Sequence, residues 1–208
     1  MKLIQLLGLI LLPLSLFASP LHDAAENGDL QKVKNLIAKG ENINAKNKKY
    51  RQTPLQIAAY NEHANIVKFL ISSGADIHAQ MKNGRTALHI AAFYGDTKSI
   101  SFLLRADAKI NVKGNDGITP LHRAAEGGDV EAIKMLLANG AKINARSHDY
   151  STPLHIAAYM GNAQAVKLLV KKGANTKARN SNGKTALQEA HDAEEVKTIQ
   201  VLESIASR

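Results

Sequence analysis

Apolar runs alternate with polar segments along this chain at a regular interval, and a similar seven-residue phrase opens each interval. The phrase begins at Thr53, Thr86, Thr119, Thr152 and Thr185, in steps of 33 residues, and a weaker copy begins at Ser19, 34 residues before Thr53. A fixed period of this length is typical of stacked repeats, in which each unit buries its apolar face only against its neighbours. The sequence therefore predicts a solenoid of six units rather than one large globular core.

The unit at residues 119–151 shows the elements most clearly. Thr119 is a good helix N-cap, because its hydroxyl can accept a backbone N–H, and Pro120 then falls at the first helical position, where its missing N–H costs nothing. Apolar residues follow at helical spacing until the Gly127–Asp129 segment breaks the helix. A second apolar stripe runs to Gly140, a residue that ends helices in the left-handed conformation. The pattern predicts a helix, a turn, a second helix and an extended loop.

This order of elements, with Thr-Pro-Leu-His at its front, resembles the ankyrin repeat. Two apolar columns of the second helix keep the same register through all six copies. The first column comprises Val33, Val67, Ile100, Ile133, Val166 and Ile199, and the second comprises Leu36, Leu70, Leu103, Leu136, Leu169 and Leu202. The resemblance covers residues 19 to about 205. It implies an all-α ankyrin-repeat solenoid of about six helix-turn-helix repeats with β-hairpin loops.

The repeat register divides the chain into a predicted signal peptide, 1–18, and an ankyrin-repeat domain, 19–208. Within the domain we predict an N-terminal cap repeat at 19–52, internal repeats at 53–85, 86–118, 119–151 and 152–184, and a C-terminal cap at 185–208. The end repeats carry polar residues such as Asp23, Glu26, Glu194 and Glu195. Polar residues suit terminal repeats, whose outer sides face water.

The first residues have the pattern of a secretory signal peptide. Lys2 precedes an apolar stretch, Leu3–Phe17, and Ala18 is a small residue suited to cleavage. The alternatives are an uncleaved membrane anchor, although a spanning helix needs about 20 apolar residues, and a core helix, which would meet the first repeat without a linker. We expect an exported protein, periplasmic or secreted, with no membrane span after cleavage. The periplasmic assignment rests on analogy with short bacterial signals.

The cysteine content and the net charge of the chain exclude some classes of function and favour others. The chain has no cysteine, which excludes disulfides, thiolate nucleophiles and cysteine-based zinc sites. Its net charge is +9, or +8 once Lys2 is removed with the signal, and a basic protein attracts acidic partners or polyanions. Because the protein is expected to be exported, we expect no nucleic-acid partner.

Histidine recurs at one repeat position without forming a recognisable catalytic or metal motif. The residues at this position are His22, Gln56, His89, His122, His155 and Gln188. Glutamine replaces a neutral histidine as a hydrogen-bonding group but not as a metal ligand, so we predict that these side chains bond backbone within their own repeats. Residues 178–185 loosely fit a phosphate-binding loop, but they form a hairpin tip rather than a strand-to-helix turn. We expect no enzyme activity, no cofactor and no metal.

The candidate binding surface consists of aromatic and basic residues outside the core columns. In ankyrin repeats the positions after the Ala-Ala pair lie on the concave, partner-facing side. These positions hold Tyr60, Phe93, Tyr94, Tyr159 and Met160, while Tyr50 and Tyr150 lie in hairpin tips on the same side, with basic residues at Arg51, Lys82, Arg85 and Arg146. Interfaces favour tyrosine, and a positive rim accelerates association with acidic surfaces.

We therefore predict a monomer that binds a protein partner bearing an acidic surface or loop. Two alternatives remain open at the sequence level. The aromatic rings could only cover neighbouring helices, or the basic rim could bind an anionic envelope polymer or lipid head group.

Three positions depart from the repeat pattern. Asp107 stands where glycine ends the second helix in four other repeats, and glycine tolerates the left-handed region better than aspartate. Arg51 and Tyr150 replace a hairpin glycine, and the first loop has one extra residue. We expect Asp107→Gly to stabilise the protein, and we expect the Arg51 and Tyr150 tips to differ in shape from the glycine tips.

Overall fold

The computed structural model describes residues 19–206, and within this range the chain forms twelve α-helices and no β-strand. The helices form six consecutive pairs: α1 (Pro20–Glu26) with α2 (Leu30–Ala38), α3 (Pro54–Tyr60) with α4 (Ala64–Ser72), α5 (Ala87–Tyr94) with α6 (Thr97–Arg105), α7 (Pro120–Gly127) with α8 (Val130–Ala138), α9 (Pro153–Tyr159) with α10 (Ala163–Lys171), and α11 (Ala186–Asp192) with α12 (Val196–Ala206). The all-α prediction is confirmed. The signal peptide predicted for residues 1–18 lies outside the described residues.

The odd-numbered helices, which we call the inner helices, are fixed at their starts by side chains. Each has a capping box, in which the N-cap serine or threonine bonds the first turn and the third helical residue bonds back to the N-cap N–H. In α7, the Thr119 N–H donates to Nδ1 of His122 at 3.1 Å. With seven or eight residues each, these helices are too short to be stable alone. Their geometry depends on these caps and on packing.

The even-numbered helices, which we call the outer helices, contribute seven of the twelve largest fully buried side chains among the described residues, and the inner helices contribute the other five, all leucines. Leu70, Leu103, Leu136 and Leu169 are fully buried, as the leucine column predicts. Between the inner helices the buried residues are mainly alanine pairs, such as Ala91-Ala92 and Ala124-Ala125.

Adjacent inner helices approach closely. A Cβ atom on Gly127 would lie 2.0 Å from the Phe93 carbonyl oxygen, so only glycine fits there without a shift of backbone. The small side chains at this contact let neighbouring inner helices pack at short range, because the distance between helix axes depends on the side chains between them.

The loops after the outer helices end in hairpin tips that stack on one another through backbone bonds. Within a tip, the Met81 N–H donates to the Arg85 carbonyl at 2.9 Å. Between tips, the Lys82 N–H donates to the Tyr50 carbonyl at 3.0 Å, and equivalent bonds join each later tip to the one before it. These bonds fix the spacing of the tips along one edge of the solenoid.

The predicted difference in shape at Tyr150 is wrong. Tyr150 adopts a φ of 61°, in the same left-handed region as Gly117 at 77°. The Ser147 N–H donates to the Ser151 carbonyl, which is the bond that closes the glycine tips. The Asp149 carboxylate accepts a hydrogen bond from the Ser151 hydroxyl at 2.9 Å and so helps to hold the tip in this conformation.

The Arg51 tip does differ, but its length is the reason. The Asn47 N–H donates to the Gln52 carbonyl, so this tip encloses one residue more than the others. Arg51 itself takes the left-handed conformation with a φ of 57°.

Candidate functional site

The exposed side of the inner helices, together with the hairpin tips, forms a surface that we call the inner face. All five tyrosines of the chain are exposed on it, at fractions of 43% for Tyr50, 52% for Tyr60, 37% for Tyr94, 53% for Tyr150 and 52% for Tyr159. No tyrosine lies in the core, as the column assignment predicts. Met160 is exposed as well, and Phe93 is half-buried.

Three of these rings form an aromatic cluster, which comprises Tyr60, Phe93 and Tyr94. The rings of Tyr60 and Tyr94 meet edge to face with centroids 5.2 Å apart, and Phe93 meets Tyr94 at 5.0 Å. Burial raises the pKa of Tyr94 and a hydrogen bond with Tyr60 adds to this effect, so its hydroxyl stays protonated. The cluster joins two repeats into one apolar patch with a polar edge.

Glu126 occupies, in the next repeat, the position of Tyr60, Phe93 and Tyr159. Tyr159 and Met160 therefore lie beyond a carboxylate rather than in the aromatic cluster. The predicted row of aromatic anchors is interrupted at this repeat.

The predicted rim cations divide into two groups. Arg51 and Lys82 are exposed at their tips. Arg146 lies over the Tyr150 ring with its guanidinium carbon 5.5 Å from the centroid, and Lys49 covers Tyr50 in a similar way at 4.8 Å. A cation over a ring face is attracted by the ring quadrupole. Both tip tyrosines thus present an aromatic ring next to a positive charge.

Arg85 belongs to a group of four charges, which we call the arginine cluster: Arg85, Asp116, Arg123 and Glu126. Arg85 pairs with Asp116 at 3.4 Å, so part of its charge is already balanced. Burial opposes ionisation of Asp116, but the Ile118 N–H and then Arg85 hold the pKa of this carboxyl below its usual value.

Arg123 is the functional candidate that the sequence reading missed. Its guanidinium stacks on Phe93 at 4.3 Å and pairs with Glu126. Its side chain is only 12% exposed, and burial lowers the pKa of the guanidinium while Glu126 opposes that shift. The Nε atoms of Arg85 and Arg123 are buried without a hydrogen-bond partner. Arg123 therefore links the arginine cluster to the aromatic cluster.

A signal for Arg123 was present in the repeat alignment. The equivalent position holds isoleucine in three other repeats, at Ile57, Ile90 and Ile156. An arginine in an isoleucine column needs an anionic or aromatic neighbour to be buried. Phe93 and Glu126 supply both.

The histidine column has a structural role. Nε2 of His122 bonds the Ser151 carbonyl at 3.1 Å, and Nε2 of His89 bonds the Ile118 carbonyl at 3.0 Å. Gln56 makes the equivalent bond to the Arg85 carbonyl at 3.3 Å and a shorter one to the Ala79 carbonyl at 2.7 Å. The prediction that these side chains bond backbone within their own repeats is confirmed. Burial lowers the pKa of His89 and of His122 to about 4, so both are neutral near pH 7.

The inner face therefore presents aromatic rings, paired arginines and exposed tip cations for contact with another molecule. Residues 19–206 contain no group of three histidine, aspartate or glutamate side chains placed to hold a metal ion. In the same range no helix is both long enough and apolar enough to cross a bilayer.

Comparisons with known proteins agree with this architecture. Three overlapping segments, residues 21–114, 73–147 and 121–205, match the family described as ankyrin repeats. The matches together span nearly all of the described chain. Ankyrin repeats generally mediate protein–protein interaction, and the repeat domain is a non-catalytic module.

Individual relatives are similar over about two repeats. Mouse 2-5A-dependent ribonuclease is 40% identical over 68 residues, which are 33% of this chain and 9% of that protein. Rat ankyrin repeat and SAM domain-containing protein 6 is 39% identical over 70 residues, 34% of this chain and 8% of that protein. Mouse ankyrin repeat and SOCS box protein 1 is 41% identical over 75 residues, 33% of this chain and 22% of that protein.

The chain spans less than a quarter of each of these relatives, so the similarity concerns the repeats they share. The activities in the names of these relatives belong to those proteins. The six helix pairs, the capped Thr-Pro-Leu-His starts and the matched segments lead to one conclusion. The chain belongs to the ankyrin repeat family.

Proposed function

We propose that this protein binds a partner protein through its inner face, without catalysis, after export from the cell that makes it. The observation that carries the proposal is the aromatic cluster, which stays exposed although its rings contact one another. Tyr60 is half exposed at 52%, and Tyr94 is exposed at 37%. Aromatic residues are enriched in the buried centre of interfaces, where they contribute most of the binding energy.

Rings that only covered neighbouring helices would be expected to lose most of their exposure to the helices they cover. Tyr60 instead keeps half of its surface, and Tyr159, three repeats further along, does the same. The rings therefore remain available to a second molecule.

The charges beside the aromatic cluster favour a partner with carboxylates. Arg123 lies against Phe93, and the exposed Arg51 and Lys82 extend the positive charge toward the tips. Arginine presents several N–H donors in a fixed plane, so one guanidinium can bind an internal and an external carboxylate together. An acidic loop that also carries an apolar side chain would match both clusters.

Because Arg85 is paired with Asp116, we expect the arginine cluster to determine which partner fits more than to attract partners from a distance. Each of its two cations has a carboxylate partner in the protein. The longer-range attraction then comes from the tips, and it is expected to raise the association rate.

The test is a cross-linking capture with the full chain in the cell that produces it. Replacing Tyr60 and Tyr94 together by alanine is expected to remove the specific partners, because the aromatic cluster loses two of its three rings. Val196→Ala is the matched control, since Val196 is also a large exposed apolar residue but lies on α12.

Two further measurements make the capture decisive. The double variant must keep the melting temperature of the wild type within a few degrees, because both rings are exposed. Replacing the same two tyrosines by phenylalanine keeps the rings and is expected to retain the partners. Recovery of the same proteins with the double alanine variant would show that the inner face is not the binding surface.

A further inference from the structure

The charged residues of the helices are segregated between the two layers. The six outer helices carry nine lysine or arginine residues and two glutamates, a net charge of +7. The six inner helices carry one arginine and five carboxylates, a net charge of −4. The nine outer cations are Lys32, Lys34, Lys68, Lys98, Arg105, Lys134, Lys167, Lys171 and Lys197, and all of them are exposed. Helix charge alone therefore makes the outer side strongly basic.

The exposed side of the outer helices, which we call the outer face, also carries an apolar band beside the lysines. The band comprises Phe69, Phe102, Met135 and Leu168, which occupy one repeat position and are each half-buried. Nζ of Lys34 lies 5.7 Å from the centre of the Phe69 ring, and Nζ of Lys68 lies 5.6 Å from that of Phe102. A lysine of one repeat thus covers the ring of the next.

The band is accessible from outside at the junction of two repeats. A depression of about 660 Å³ between α4 and α6 is lined by Lys68, Lys98 and Phe102, and at its inner-helix side by the carboxylates Glu62 and Asp96. Rings and aliphatic lysine stems share its wall, so the outer face is amphipathic as well as basic.

We propose that the outer face docks peripherally on an anionic lipid bilayer. Lysine side chains hold their charge at the level of lipid phosphates while their stems lie on apolar surface. The half-buried rings between them match the boundary between head groups and acyl chains. The proposal does not depend on the proposed function, because it uses the opposite face and leaves the inner face open to a protein.

The same observations fit a nucleic acid less well. Eight of the nine outer cations are lysine, whereas arginine is the residue that reads phosphate and base edges through its planar donors. None of the exposed tyrosines of the described chain lies on an outer helix, so this face offers no exposed aromatic platform for bases.

The test uses the full chain and sedimentation with vesicles of phosphatidylcholine and phosphatidylglycerol in equal parts, with pure phosphatidylcholine vesicles as reference. The outer variant replaces Lys34, Lys68, Lys98 and Lys167 by glutamine. The matched tip variant replaces Lys49, Arg51, Lys82 and Arg146 by glutamine, and these four residues are also exposed. Both variants lose four positive charges, so a difference between them reports position and not net charge.

We expect the wild type to bind the anionic vesicles and the outer variant to bind at least about tenfold more weakly. The tip variant should stay within about twofold of wild type, since its substitutions are on the inner face. Any binding by residues 1–18 is the same in all forms, so it can reduce but cannot create a difference between the outer and tip variants. Phe102→Ala should weaken binding about threefold, because burial of apolar surface adds to the electrostatic attraction.

Four results would overturn the proposal. They are absence of binding by the wild type, equal losses in the two variants, a loss confined to the tip variant, and binding to pure phosphatidylcholine as strong as to the anionic mixture. Binding of a duplex DNA fragment by the same three proteins tests nucleic acid as the alternative ligand of the outer face. Selective loss of DNA binding in the outer variant, with no vesicle binding by wild type, would assign the outer face to nucleic acid instead.

Discussion

The inner and outer helical layers have the same number of helices but are stabilised in different ways. Inner helices depend on directed polar contacts, since each starts with a capping box and five of them carry a buried histidine or glutamine bonded to a loop carbonyl. Outer helices depend on apolar burial, through columns such as Leu70, Leu103 and Leu136. Hydrogen bonds define geometry, whereas apolar burial is non-directional. The layer with fixed geometry is the one that carries the candidate binding residues.

The difference implies that the two layers respond to different perturbations. Acid should act on the inner layer, because its buried histidines have to stay neutral. Loss of apolar volume should act on the outer layer. Measurements of the free energy of unfolding can separate these two responses.

The largest expected effect is a loss of stability in acid. Burial lowers the pKa of His89 and His122 to about 4, and it lowers that of His155 as well. Below about pH 6.5 these histidines are therefore protonated in the unfolded chain but remain neutral in the folded chain. The contribution of the neutral histidines to the free energy of unfolding is fully present above about pH 6.5. It is lost as the pH falls toward 4, by about 3 kcal/mol for each of His89 and His122.

Urea unfolding of wild type and His122→Gln at pH 7.5 and pH 4.5 measures this contribution. Glutamine serves at the equivalent position Gln56, which bonds both the Thr53 N–H and the Ala79 carbonyl. The variant should fold and should lose less stability between the two pH values than wild type. His148→Gln, a change at an exposed tip residue, is the control. An identical loss in wild type and His122→Gln would contradict the assignment of acid sensitivity to the inner layer.

The next largest effect is expected in the outer layer. Leu103→Ala removes a fully buried side chain from α6 and should destabilise the protein by about 3 kcal/mol, since the rigid stack cannot close the cavity. Leu104→Ala in the same helix is the control, because Leu104 is only half-buried and should cost less. Both losses should be similar at pH 7.5 and pH 4.5. A difference of opposite sign between the two variants would mean that the leucine column does not carry the outer layer.

The smallest effect concerns the end of the outer helix α6. Asp107 has a φ of 65°, in the left-handed region where the equivalent Gly74 and Gly140 have 88° and 91°. Asp107→Gly should therefore stabilise by roughly 0.5–1 kcal/mol, because glycine has no Cβ to strain in this region. Thermal unfolding of the two proteins measures the change. A lower melting temperature for the variant would show that Asp107 makes a compensating contact.

The helix ends of each repeat could be predicted from the sequence because they depend on residues that are adjacent in the chain. Thr119 and Pro120 predicted where α7 begins, and Gly140 predicted the end of α8, as the structure confirms. The buried leucine column followed from helical periodicity alone. Repetition adds strength to such inferences, because each copy tests the others.

Side-chain bonds within a tip, and contacts between repeats, were harder to predict. Tyr150 suggested a different tip shape, since the contribution of Asp149 hydrogen bonds to the turn was not apparent. Arg123 was passed over because its burial relies on Phe93, which lies 30 positions earlier in the chain. The balance of charge between layers likewise appears only once the helices are assigned to two sides. The repeat boundaries stay predictions. The predicted binding residues also stay predictions, and the capture experiment above tests them.

The backbone bonds between successive tips have a consequence for how the protein can change. Each tip is bonded to the preceding one through peptide groups, from Tyr50 through Ser181. Side chains add further bonds at some tips, as Asn115 does to the Lys82 carbonyl. Tip side chains that make no such bond can therefore be exchanged without displacing the next tip. The spacing of the tips along this edge therefore stays constant when a tip sequence changes. Specificity for a new partner can then evolve by substitutions at one tip at a time.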